Sequence, residues 1–174
     1  MRNESGKSII ILLILTILII IGVAVVINYA KDMMEEKKVE DLRTNMLLMQ
    51  AETKKGLEEV CVKTVNLDEK KEDDLKKINE AKEEHLDGTL LSNSPTEVQD
   101  AVKNVPEVTF DENCYYLDEQ TLKEIGIKEI NTDEFGYFIV KYDFETTNIE
   151  VINTKGYDGN YTLTQIVKAI EGEE

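Results

Sequence analysis

The run Ile9 to Ile27, IIILLILTILIIIGVAVVI, constrains this chain more than any other stretch of it. Only Thr16 and Gly22 interrupt its apolar side chains. At ~1.5 Å per residue a helix over this run is ~28 Å long, the thickness of a bilayer's hydrocarbon core. A helix that is apolar on every side is not the surface helix of a domain this small. The run is also longer than the ~7–15-residue apolar part of a removable secretory signal, and no small-x-small cleavage site precedes Asn28 to Lys31. It reads as a transmembrane helix over 9–28 behind a short polar leader, 1–8, with the lipid bilayer as its partner.

What remains is one modest domain with a strongly acidic surface. The formal net charge is −16, from 36 acidic against 20 basic residues. From Asp111 to Glu174 there are 15 Asp and Glu against 5 Lys. Such a surface repels phosphate backbones, so nucleic acid is excluded as a partner. Arg2 and Lys7 before the span and Lys31, Lys37 and Lys38 after it leave the positive-inside count undecided. A short head stays behind more readily than a large domain, so the C-terminal domain is expected to be extracytoplasmic, on a single-pass cell-membrane protein.

The helix is expected to continue past the membrane over 29–65. Val39, Leu42, Met46, Met49, Thr53, Leu57 and Val60 recur at steps of three and four, one stripe on an amphipathic helix. The stripe fits either a helix laid on its own domain or a packing surface between protomers. Residues 66–105 read as a charged helical insertion, with a mostly solvated helix from Asn66 to Leu86, a loop from Thr89 to Ser94, and a short helix opened by the capping box Ser94-Pro95-Thr96-Glu97.

Residues 106–174 read as a C-terminal α+β head. Val108 to Phe110 and Cys114 to Tyr116 look extended, and Asp118 caps a short helix that Gly126 ends. Tyr137 to Tyr142 and Asn148 to Asn153 form an antiparallel hairpin. Tyr157 to Asn160 is a turn, Tyr161 to Leu163 an extended piece, and Thr164 to Ile170 a last helix. All four phenylalanines and most of the tyrosines lie in this part, which places the core there. The expected fold class is α+β: a long N-terminal helix, transmembrane half plus amphipathic half, with a small antiparallel sheet.

The chemistry-bearing residues give no catalytic, cofactor or metal motif, and the chain is not read as an enzyme. His85 stands alone in a charged helix, and the acidic pairs Asp111/Glu112 and Asp133/Glu134 are expected by chance among so many carboxylates. Gly156-Tyr157-Asp158-Gly159-Asn160 lacks the spaced ligands of a calcium loop. Asn160-Tyr161-Thr162 fits the short glycosylation acceptor pattern. Cys61 and Cys114 either pair, closing a loop of ~50 residues worth ~4 kcal/mol, or remain two free thiols.

The segment Ser5-Gly6-Lys7-Ser8-Ile9-Ile10-Ile11-Leu12-Leu13 resembles the N-terminal signal of type IV pilins and pseudopilins, in particular pilin-like proteins of clostridial type. Gly6 matches the residue after which a prepilin peptidase cuts, which makes Lys7 the first mature residue. The long helix followed by a small sheet is similar too, as is the tail from Tyr115-Tyr116-Leu117 through Tyr137 to Tyr142 and Val151 to Gly156. Lys7 stands where the family has Phe, and Ile11 where it has the Glu that pairs with a neighbour's amine during assembly. The resemblance implies a minor pilin or pseudopilin, of the kind found in type IV pilus and type II secretion assemblies, partnered by other pilin-like subunits and by prepilin peptidase. The competing expectation is an uncleaved single-pass protein with an extracytoplasmic binding or sensor module.

Overall fold

The computed structural model describes residues 4–106, 108–127 and 130–172, with side chains described from residue 33 onward. Helix α1 covers Glu4–Thr64. The chain divides into two compact units, Met1–Asp41 and Leu42–Glu174. Among the described residues no helix is long and apolar enough to cross a membrane. The run Ile9 to Ile27, which carries the transmembrane expectation, lies outside the described side chains.

The second unit is α+β. After α1 come α2 (Glu72–His85), β1 (Thr89–Leu90), a single 3-10 turn (Leu91–Asn93), α3 (Thr96–Val102), β2 (Cys114–Leu117), α4 (Glu119–Glu124) and α5 (Thr132–Phe135). Strands β3 (Phe138–Asp143), β4 (Asn148–Tyr157) and β5 (Asn160–Thr162) follow, and α6 (Leu163–Glu171) closes the unit. The five strands form an antiparallel meander in chain order.

Residues alternate between the two faces of the sheet, and both faces are covered. On one face Tyr115, Leu117, Phe138, Val140, Tyr142, Ile149 and Val151 meet Leu42, Met46, Met49, Leu57 and Val60 of α1, with Leu122 of α4 and Leu163 and Ile166 of α6. On the other face Cys114, Ile139 and Ile152 meet Leu91, Val98, Val102 and Val105. The register follows suit, with Val140 opposite Val151 and Ile139 opposite Ile152. An antiparallel sheet commonly leaves one face to water. Here α3 and the segment after it form a second layer, which is why β3 reads as a nearly continuous apolar run.

The α1 stripe is the driving contact. Met46, Met49, Thr53 and Leu57 are all 0% exposed, and full burial of such apolar side chains is worth ~1.5–3 kcal/mol each. Thr53 belongs in the stripe because its hydroxyl donates to the Met49 carbonyl at 2.7 Å, leaving no orphan donor. Gln50 adds a tie to the sheet, its amide donating to the Ile149 carbonyl at 2.9 Å. Arg43 and Glu171 join α1 to α6 at 2.9 Å. Of the two expectations for the stripe, the structure has a helix laid on its own domain.

Several local expectations change. Residues Thr89 to Ser94, read as a loop, hold edge strand β1, which pairs with β2, and the 3-10 turn. The segment 66–105 therefore contributes a strand and much of the second core layer as well as α2. The Ser94 capping box does not form: the Ser94 hydroxyl donates back to Leu91 at 2.7 Å, and Pro95 is the N-cap with no side-chain bond. Val108 to Phe110 pack on the second layer without joining the sheet. Helix α5, capped by Asn131, fills a stretch to which the sequence assigns no element, and β4 runs on to Tyr157.

Other expectations stand. Asp118 caps α4, accepting from the Thr121 amide at 2.8 Å, and Gly126 follows that helix at φ 89, in left-handed space open to glycine. Asp143 holds the four-residue β3–β4 link, its carboxylate accepting from the amides of Glu145 and Thr146 and from the Thr146 hydroxyl. Those bonds, the hydroxyl first, hold its carboxyl below the usual range.

The extension of β4 depends on one buried amide. Between Ile152 and Tyr157 the β4–β5 register shifts, and Asn153, 0% exposed, bridges the irregularity. Its Nδ2 donates to Phe135 at 2.7 Å, while its Oδ1 accepts from the amides of Lys155 at 3.1 Å and Gly156 at 2.7 Å. Gly156 is needed there: at φ 61, a β-carbon would stand 2.3 Å from the Asn160 carbonyl oxygen. Thr162 then opens α6 with a full capping box to Gln165.

Candidate functional site

Two polar clusters stand out from the solvated acidic surface. The first lies on the second face of the sheet, where β3 carries Lys141 between Val140 and Tyr142. Lys141 reaches back to the segment before β2, pairing with the Asp111 carboxylate at 2.7 Å and donating to the Thr109 carbonyl at 2.9 Å. Asp111 also accepts from the Asn113 amide at 2.9 Å. Burial works to raise the Asp111 carboxyl, but the Lys141 ammonium and the Asn113 amide overcome it and hold it below the usual range. Cys114 completes the cluster, its thiol donating to Asp111 at 3.7 Å and accepting from the Asp111 amide at 3.4 Å. Burial pushes this thiol up, so it is a poor nucleophile.

This cluster pins the segment between α3 and β2 onto the sheet. Beside it lies an open groove of ≈ 770 Å³ walled by Leu90, Val102, Val105, Val108 and Phe110. Ser92, Gln99, Lys103, Asp111 and Glu112 supply polar side chains to the same groove.

The second cluster lies where α2 crosses α1. Here Glu59 and Lys63 of α1 meet Glu84 and His85 of α2. The Lys63 hydrogen bond, then its charge, hold the Glu84 carboxyl down. His85, expected to be a solvated helix residue, is 15% exposed and in contact with three charged side chains.

The remaining candidates separate. Gly6 and Lys7, the expected processing site, lie outside the residues whose side chains are described. Cys61 and Cys114, whose pairing the sequence left open, are both free thiols. They belong to opposite layers: Cys61 packs against the helix-side core with its thiol on the Phe144 carbonyl, and Cys114 lies in the second core. Asp133 and Glu134 open α5, and their backbone carbonyls accept from Lys155. In the Gly156 to Asn160 stretch, Asp158 sits at φ 47 in the tight β4–β5 turn. Of the glycosylation pattern, Thr162 is buried, its hydroxyl spent on capping α6. Among the described residues no group of three or more His, Cys, Asp or Glu is placed to hold a metal ion.

Sequence reasoning missed both clusters for one reason. Lys141 and Asp111 are brought together by strand register, and His85 and Glu59 by a helix crossing, neither of which leaves a local spacing signal. No family model matches the chain, and no curated protein or solved structure matches it.

Proposed function

We propose that this chain is a membrane-anchored, pilin-like structural subunit of the minor-pilin or pseudopilin kind. Its α+β head stands outside the cytoplasm and acts through protein–protein contact. One observation carries the reading: a single helix, Glu4–Thr64, holds the apolar run Ile9 to Ile27 near its start and a stripe docked on an antiparallel sheet near its end. The first part suits lipid or the helices of neighbouring subunits, and the second fixes the head. Gly6 and Lys7 then flank the bond that a prepilin peptidase cuts.

Membrane residence and sidedness test this together. The full chain is expected in carbonate-resistant membranes, with the loop between α1 and α2 cut by protease added to intact cells. Release by carbonate, or cutting only after lysis, contradicts the reading. Ile11 favours a second one, an uncleaved single-pass protein with a binding or sensor head, because the assembly carboxylate of the family is missing there.

A further inference from the structure

Val108 to Asn113 lie against the second face of the sheet on the way to β2, and they belong to no strand. Their apolar hold is small. Val108 and Phe110 are half-buried against the second core, while Thr109, Asp111 and Glu112 are exposed. The polar hold comes from one side chain of β3. Lys141 pairs with the Asp111 carboxylate at 2.7 Å and donates to the Thr109 carbonyl at 2.9 Å, so one ammonium ties down two points of the segment. Firmer packing begins on either side of it. Val105 is buried, with its amide donating to the Val102 carbonyl at 3.1 Å, and the Asn113 carbonyl accepts from the Tyr142 amide of β3 at 3.0 Å.

This segment covers the Cys114 thiol. Cys114 opens β2 directly opposite Lys141 in the register and is 0% exposed. Its sulfur lies 3.4 Å from the Asp111 amide nitrogen and 3.7 Å from the Asp111 carboxylate, so Asp111 sits on the thiol itself. The same segment gives Val108, Phe110 and Asp111 to one side of the groove whose other side holds Leu90, Leu91 and Val102. Lifting it uncovers the thiol and removes that side of the groove.

We propose that residues 108–113 form a strap that opens while the sheet stays folded, with Lys141 as its clasp. Opening breaks the two Lys141 bonds and the turn bond from the Cys114 amide to the Asp111 carbonyl, and it lifts two half-buried side chains. Lys141 and Asp111 are both partly exposed, so water takes the place of the lost partners. The β2–β3 and β3–β4 ladders and the core beneath α1 take no part. The closed strap shields the thiol, and the open strap presents it to solvent together with the inner side of the groove.

Slow labelling of Cys114 by a soluble disulfide reagent, in the full Cys61→Ser chain in detergent micelles, tests this. Below the unfolding transition the labelling rate is expected to be nearly independent of urea, because a short strap exposes little surface when it opens. A rate that climbs with urea at the slope of global unfolding shows that only unfolding uncovers the thiol, and it overturns the strap. Lys141→Met is expected to raise the urea-independent rate on the order of tenfold, with amide protection of β3 and β4 unchanged. The Lys141 charge favours the thiolate, so its loss alone slows labelling, and a faster reaction reports opening. An unchanged or slower rate in that variant overturns the clasp. Should Lys141→Met lose protection in β3 and β4, the urea dependence in the Cys61→Ser chain decides alone.

Discussion

The backbone of His85 occupies the space that a side chain on Gly56 would need, its carbonyl oxygen 2.0 Å from where a β-carbon would stand. Glycine within a helix normally costs ~1 kcal/mol relative to alanine, so a substitution that only improved propensity would stabilise. Here the obstacle is backbone and cannot rotate away. Gly56→Ala is therefore expected to lower stability by about 2 kcal/mol, read as a lower urea midpoint with an unchanged m-value.

Asn153 is the polar counterpart in the core. Replacing it with alanine removes the partner of the Lys155 and Gly156 amides and of the Phe135 carbonyl. A loss of roughly 2–4 kcal/mol is expected from Asn153→Ala in urea unfolding. Loss of amide protection should begin at β5 and α6, which depend on the irregular β4–β5 register.

Much of this arrangement was legible in the residues. The α1 stripe was readable because a helix that buries one side repeats its apolar positions at three and four, and Leu42, Met46, Met49, Thr53, Leu57 and Val60 are all buried. The Asp118 cap and the β3–β4 hairpin were readable because their signals are local. Strand β1 was not, since two residues carry no period and Thr89 and Leu90 become a strand only by pairing with Tyr116 and Tyr115. The Ser94 box failed because a tertiary arrangement turned its hydroxyl toward Leu91. The Lys141–Asp111 pair and the His85 cluster were invisible because sheet register and a helix crossing create them.

The two thiols should differ sharply. Cys61 is partly exposed, whereas Cys114 is 0% exposed and its thiol is pushed up, by burial first of all. One thiol equivalent per chain is expected to react with a soluble disulfide reagent under native conditions, and two in denaturant. Cys61→Ser should remove the native reaction, and Cys114→Ser should leave it.

Asp87 sets a pH dependence of definite sign. Burial, then the charges of Glu124 and Glu52, raise its carboxyl above the ordinary value. The folded state thus holds this proton more tightly than the unfolded chain does. The ionised carboxylate weakens the fold at neutral pH, and the penalty fades as pH falls through the folded value toward the unfolded one. Asp87→Asn is expected to raise the urea midpoint at about pH 7 and to give no gain at about pH 3.

In the function proposed for this chain, a pilin-like subunit is processed at its leader and anchored by the run from Ile9 to Ile27. Intact-mass and N-terminal peptide spectrometry, on chain isolated from membranes that contain a prepilin peptidase, tests it most directly. A mature chain beginning at Lys7 is the predicted result. A chain that keeps Met1 to Gly6 in the presence of an active peptidase contradicts it.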